Sequence, residues 1–230
     1  QDLIFPHHEN EIAQCLCDEP TNGFAKYWMH NGYLMSEGEK MSKSLGNFYT
    51  INELLQAYPG EAIRLLLIKT HYRQPLDFSR SGLDEAKREL DRFYGALRGL
   101  SVDAGDQALD ADVRAALSDD LNTPLALSAL HAKLRDLNIA EGDAKEEAAS
   151  ELRRAAKVLG LLEQDPEEWF RWAPSAQGGL DDAQIESLIQ QRAEARAAKD
   201  FATSDRLRDE LAEAGIILED KPEGTIWRRG

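Results

Sequence analysis

Between Leu83 and Leu162 apolar residues recur three and four positions apart, in LDEAKRELDRFYGALRGL, ALDADVRAALSDDL, TPLALSALHAKLRDLNIA and AKEEAASELRRAAKVLGLL. A period near 3.6 gathers such residues into one stripe of a helix, and a helix with one apolar stripe has to bury it against another. The pattern breaks at 99–108, at Asn122-Thr123-Pro124 and at 141–143. Connections this short return each helix beside its predecessor, which predicts an antiparallel helical bundle.

The flanks read differently. Residues 1–50 mix short apolar runs with glycine and polar turns, as an α/β unit does. HHENEIAQCLC (7–17) has helical spacing, and YWMHNGYLM (27–35) is apolar and aromatic without a helical stripe, so a helix and then a strand are expected. SEGEKMSKSLGNFYT then reads as an exposed loop, because its serines, lysines and glycines have little to bury. Thr50-Ile-Asn-Glu53 has the T-x-x-E spacing of a capping box, so a helix should start at Ile51. Pro59-Gly60 interrupts it, and EAIRLLLIKT resumes as a buried helix before a loop or short extended segment over HYRQPLDFS. After the bundle, EQDPEEWFRWAPSAQGG (163–179), rich in Pro, Gly and acid, is expected to be a linker. Two helices (about 181–199 and 201–214) and a GIILED…TIWRR hairpin close the chain.

No apolar run approaches the roughly 18 residues a membrane-spanning helix needs. Cys15 and Cys17 are the only cysteines, too close for an easy structural bridge, so a reducing, cytoplasmic setting is expected. The formal charge of −15 argues against a protein that coats nucleic acid through a broad basic face. It is unevenly spread: residues 51–100 carry eight basic and seven acidic groups, whereas 101–175 carry eight and sixteen. A selective RNA partner is therefore compatible with it, through a few specific contacts and a modest salt dependence. The chain opens on Gln-Asp-Leu-Ile-Phe-Pro with an apolar run already under way, so it is expected to be a piece of a longer protein.

Two motifs carry chemistry. In Lys40-Met41-Ser42-Lys43-Ser44, two lysines on a Gly- and Ser-flanked loop are suited to closing over a triphosphate and meeting the charge that develops as pyrophosphate leaves. In FPHHENE, His7 and Glu11 stand four apart and share a helix face from which both can ligate zinc; a plain surface pair is the alternative. The pentapeptide resembles the KMSKS loop of class I aminoacyl-tRNA synthetases. FPHHENEIAQ, YWMHNGYL, EKMSKSLGNF, HYRQPLDFS, SDDLNTPLAL and RAEARAAKDFATSDRLRDELAEAGIILED…GTIWRR, in that order, are similar to the cysteinyl-tRNA synthetase family over essentially the entire chain.

The resemblance implies an α/β plus mainly α architecture. Residues 1–50 would be the second half of a Rossmann-type catalytic domain with its KMSKS loop, 51–100 a stem-contact region, 101–175 the helical bundle and linker, and 176–230 a small α+β anticodon-binding domain. It implies ATP-dependent activation of cysteine and its transfer to tRNA(Cys) by the parent protein, with cysteine, ATP with magnesium and tRNA(Cys) as partners, no membrane, and a monomer. The fragment alone is expected to be inactive, since the half carrying the HIGH motif precedes Gln1. Lys43, assisted by Lys40, would act on ATP, and Asp2 would contact its ribose, with a strand-end cap as the alternative. His7 and Glu11 would be two of four ligands of one zinc ion, the others being cysteines upstream of Gln1. Arg196, Asp205 and Asp220 would read anticodon bases, and Phe201 would stack on one or belong to the core. Competing readings are a stand-alone tRNA-binding module, a cysteine:amino-sugar ligase of mycothiol synthesis, and an H-x-x-x-E zinc hydrolase.

Overall fold

A computed structural model of the chain describes residues 3–18, 25–41, 48–100, 108–174, 180–221 and 224–229. A short helical turn over Ile4–His8, with a cis Phe5–Pro6 bond, leads into α1 (Glu9–Asp18). A small sheet follows in the order β2-β1-β3. In it β1 (Leu34–Ser36) pairs antiparallel with β2 (Glu39–Lys40) and parallel with β3 (Leu76–Phe78), Met35 standing opposite both Lys40 and Asp77. A parallel pair needs a long crossover, and α2 (Ile51–Ala57) and α3 (Gly60–Ile68) provide it.

The local signals explain these boundaries. The Thr50 hydroxyl accepts from the Glu53 N–H at 3.2 Å while the Glu53 carboxylate accepts from the Thr50 N–H at 2.9 Å, so the capping box forms and α2 begins at Ile51. The β1–β2 hairpin turns on Glu37 and Gly38, at φ 53° and 80°. Two consecutive left-handed residues are what a tight two-residue hairpin requires, and glycine tolerates that at no steric cost. The run 27–35 is only partly a strand. Tyr27–Tyr33 has no regular element, although Gly32 donates to Tyr72 O (2.7 Å) and Tyr33 O accepts from Leu76 N–H (2.8 Å).

From Arg80 onward the chain is helical: α4 (Arg80–Leu97), α5 (Ala111–Ser118), α6 (Thr123–Ile139), α7 (Asp143–Lys157) and α8 (Pro166–Arg171). Helix α6 packs on both α5 and α7, and α4 packs on α3, α6 and α8. Ser79, Asp110, Asn122 and Asp165 cap the starts of α4, α5, α6 and α8 through their side-chain oxygens. One apolar core runs from Leu54 in α2 through Leu90 and Tyr94 in α4 and Leu130 in α6 to Trp169 in α8.

That core corrects the linker expected over 163–179 as far as 174; residues 175–179 lie outside the described residues. Trp169 is 2 % exposed and stacks on the fully buried Tyr94, ring centroids 4.6 Å apart. Its indole N–H donates to Asp91 at 2.7 Å. Acid and proline in this stretch serve as a helix N-terminus, not as a spacer. A second, smaller core joins α9 (Asp182–Ala197), α10 (Phe201–Glu213) and the antiparallel hairpin of β4 (Ile216–Lys221) and β5 (Gly224–Arg229) around Ile185, Leu211, Ile216 and Trp227. Arg98, at the end of α4, links the two: it makes two parallel bonds to Glu167 (2.6 and 2.8 Å) and one to Glu219 of β4 (3.2 Å).

Candidate functional sites at the two ends of the chain

The hairpin β1–β2 ends at Lys40 and leads into Met41, which packs against the main core, and two polar ties fix its turn. The Gly38 N–H donates to Asp77 Oδ1 at 2.9 Å, and Glu37 Oε1 accepts from the Arg80 N–H at 3.2 Å. The sequence motif thus leaves an anchored hairpin at its first lysine. Lys43 and the rest of the KMSKS loop over 42–47 lie outside the described residues, as does Asp2, and only the backbone of Lys40 is described.

His7 lies in the short segment Ile4–His8, which is broken by the extended Phe5, and Glu11 lies in α1; both are exposed and neither is paired with another described side chain. As donors they are of the kinds zinc takes. No cluster of three or more His, Cys, Asp or Glu exists among the described residues, so the pair fits half of a four-ligand shell. Cys15 and Cys17 are free thiols on α1. Helical phase in the sequence points His8 away from the face that His7 and Glu11 share. In the structure its Nδ1 lies 3.0 Å from His30 Nε2, and its ring is 5.3 Å from that of Trp28, which itself stacks on His30. The alternation Trp28-x-His30 in an apolar run was the available signal.

At the other end, Asp220 on β4 is the centre of a polar cluster. Its Oδ1 accepts from Arg192 Nη1 (2.9 Å) and Thr225 Oγ1 (2.7 Å), and its Oδ2 from Arg192 Nη2 (2.9 Å) and Arg196 Nη1 (3.0 Å). The bonds from Arg192 and Thr225 hold its carboxyl well below the usual range. Arg192 and Arg196 are one helical turn apart on α9, so both reach the same carboxylate. Arg192 is buried, and its pKa is raised by the bond to Asp220 and, more weakly, by the charge of Asp205. Asp205, on α10, is exposed and pairs at 3.2 Å with Arg208 on its own helix. Phe201, at the start of α10, is 64 % exposed, which removes the core reading for it. The structure therefore brings Arg196 and Asp220 into contact, sets Asp205 within electrostatic range through Arg192, and adds Arg192, which a scan for readout residues passed over.

Comparison with known proteins finds matched domains toward both ends of the chain. Residues 1–88 match the profile of the class I (C) catalytic domain of tRNA synthetases, 112–163 that of the DALR domain, and 180–228 that of the cysteinyl-tRNA ligase anticodon binding domain. The chain is 56% identical over 229 residues to the cysteine--tRNA ligase of Rhodospirillum centenum, covering 99% of this chain and 50% of that protein. Toward the enzyme so named in Paramagnetospirillum magneticum the identity is 53% over 236 residues, with 100% and 50% covered, and toward that of Gluconobacter oxydans it is 53%, with 99% and 48% covered. The chain spans about half the length of the curated relatives it matches. With identity above one half sustained along its whole length, and with matched domains at both ends, the chain belongs to the cysteinyl-tRNA ligase family.

Proposed function

We propose that the chain is part of an enzyme that activates cysteine with ATP and transfers it to tRNA(Cys) in the cytoplasm. The observation that carries this reading is identity of 53–56% to proteins named cysteine--tRNA ligase over 99% or more of these residues. In the first step the cysteine carboxylate attacks the α-phosphorus of ATP and pyrophosphate leaves. In the second a ribose hydroxyl of the tRNA takes the cysteinyl group and AMP leaves. Magnesium accompanies ATP as part of the substrate.

Lys43, with Lys40, meets the negative charge that accumulates on the departing pyrophosphate, which is stabilisation confined to the transition state. The β1–β2 hairpin, tied at Gly38 and Glu37, anchors the chain where the lysine motif begins. Asp2 is assigned to the ATP ribose. His7 and Glu11 would hold zinc together with two ligands from elsewhere in the protein; the ion supplies a soft acceptor for the substrate thiolate, which the hydroxyl of serine cannot match. Segment 51–100, the least acidic of the chain, serves the tRNA stem, the helices beyond it form the bundle that supports it, and the polar cluster at Arg196, Asp205 and Asp220 serves the anticodon. A mycothiol-type ligase has no use for the anticodon-domain match over 180–228.

Filter binding of tRNA(Cys) to this chain, against the same tRNA with an altered anticodon, tests the RNA half of the proposal. Tighter binding of the cysteine anticodon is expected, and equal affinity would remove the readout role. For the catalytic half, Lys43→Ala in the longer protein should lower cysteine-dependent ATP–pyrophosphate exchange by about 10²-fold or more, as loss of a transition-state charge contact does.

A further inference from the structure

The Asp220 carboxylate has about four acceptor positions on its two oxygens, and four donors fill them: two from Arg192, one from Arg196 and one from Thr225. No position is left for a base. An amino group can bond to Asp220 only when one of these donors leaves, and the three side chains are not equivalent.

Arg192 makes two parallel bonds from a side chain that is 9 % exposed, and its Nε–H is already buried without an acceptor among the described residues. Releasing it would strand a guanidinium away from water, a costly arrangement for a charged group. Thr225 stands directly opposite Asp220 in the β4–β5 register, so the hairpin itself holds it there. Arg196 contributes a single bond from a side chain that is 54 % exposed, and its Nε and Nη2 have no partner among the described residues. Water compensates its departure, and the donors that swing free belong to the same guanidinium.

We infer that Arg192 is a positioning residue for base readout, and that the Arg196–Asp220 contact is a latch which a base edge opens, uncovering a donor and an acceptor side by side. This rests on the anticodon reading above and goes further by naming the edge that fits. An amino group adjacent to a ring-nitrogen acceptor bonds to Asp220 and Arg196 together, and adenine and cytosine present that pair. On their Watson–Crick edges guanine and uracil do not: guanine sets a ring N–H beside its amino group, and uracil sets a carbonyl where the amino group is needed. Arg192 touches no base. It fixes the rotamer and the charge of Asp220, so that only Arg196 is exchangeable.

The test uses the chain as it stands, labelled anticodon stem-loop hairpins carrying the cysteine anticodon or single-base replacements of it, and the variants Arg192→Lys, Arg192→Gln and Arg196→Gln, with thermal melting as the control for folding. In the wild type, one anticodon position should prefer adenine or cytosine over guanine or uracil by about 5-fold or more, the range of one good two-bond contact. Arg196→Gln should abolish this preference. Arg192→Lys, which keeps the charge but has no planar pair of donors, should reduce it by a similar factor while leaving affinity for the mismatched hairpins within about twofold. The double variant with Arg196→Gln should lose no more than Arg196→Gln alone. Should Arg192→Gln fail to fold, Arg192→Lys carries the comparison. A wild type indifferent to every anticodon base overturns the anticodon reading and this inference with it. A wild type that discriminates, beside a folded Arg192→Lys that discriminates equally, overturns the inference and leaves the reading standing.

Discussion

Glu89 offers the sharpest quantitative test of the core. It lies on α4, its side chain is 8 % exposed, and it takes one bond on each oxygen: Lys69 Nζ at 2.9 Å and His131 Nε2 at 2.8 Å. Burial alone would push this carboxyl up. The bonds from His131 and Lys69 outweigh it and hold the group down to about 2, from an ordinary 4.5. A folded value below the unfolded one means that the interaction stabilises the chain above about pH 4.5 and that this stability is lost as pH falls toward 2. At ~1.4 kcal/mol per tenfold the difference amounts to about 3 kcal/mol at pH 7, and to about 1.5 kcal/mol at pH 3, where the unfolded group already carries its proton and the folded one is still mostly ionised. Glu89→Gln keeps the shape and removes the charge, so urea denaturation should place it about 3 kcal/mol below the wild type at pH 7, the gap closing to about half at pH 3. A gap under about 1 kcal/mol at neutral pH, or one that does not narrow on acidification, would refute the reasoning, because both follow from the same displaced titration.

Other expectations follow from neighbouring features. Tyr94→Phe removes the hydroxyl that donates to both oxygens of Glu61 (2.9 and 3.0 Å) and leaves the Gln164 N–H without its acceptor, so a loss of about 2–3 kcal/mol is expected by chemical denaturation. Burial already pushes Glu61 up from its ordinary value, against the lowering effect of the Tyr94 hydroxyl. A raised carboxyl destabilises the fold as pH rises, so the cost of Tyr94→Phe should be largest at neutral pH and shrink as pH falls through and below 4.5, where Glu61 takes up its proton in either state. Thr50→Ala breaks the capping box of α2 and should cost about 1 kcal/mol, visible as a lower thermal midpoint. Arg98→Ala removes the bonds to Glu167 and Glu219 together with the stacking of its guanidinium on Phe170 at 5.0 Å; faster amide exchange in β4 than in α6 would register the loosened C-terminal unit.

Where a signal is local, it was legible in the sequence. The T-x-x-E box and the Pro59-Gly60 break before α3 rest on residues within four positions of one another, the C-terminal hairpin on partners at most thirteen apart, and all three form where expected. What escaped depends on distant partners. Pro166 and the acids around it look like a spacer until Tyr94, more than seventy positions earlier, supplies the face on which Trp169 stacks. Arg192 reads as one more charge on a solvated helix because the carboxylate that buries it lies on a strand 28 residues away. Helical phase alone points His8 away from the face that His7 and Glu11 share, and its contact with His30 depends on the irregular 27–33 segment that periodicity reads as strand. The candidate readout residues were visible as a resemblance, but the saturation of Asp220 is a property of geometry that no spacing contains.

Helix α4 is more than a wall of the core. Its first backbone N–H, at Arg80, is held by Glu37 from the hairpin that carries the first lysine of the loop, and its last turn hands over to Arg98, which grips Glu219, the residue next to Asp220 in β4. Eighteen residues at 1.5 Å each make a strut of about 27 Å, stiff because one face is locked into Leu83, Leu90 and Leu97. A lever of that length turns a tilt of a few degrees at one end into a displacement of an ångström or more at the other, roughly the tolerance within which catalytic groups must be held. The distance between the two sites is thus spanned by a single element, and its straightness sets how faithfully a rotation at one end arrives at the other.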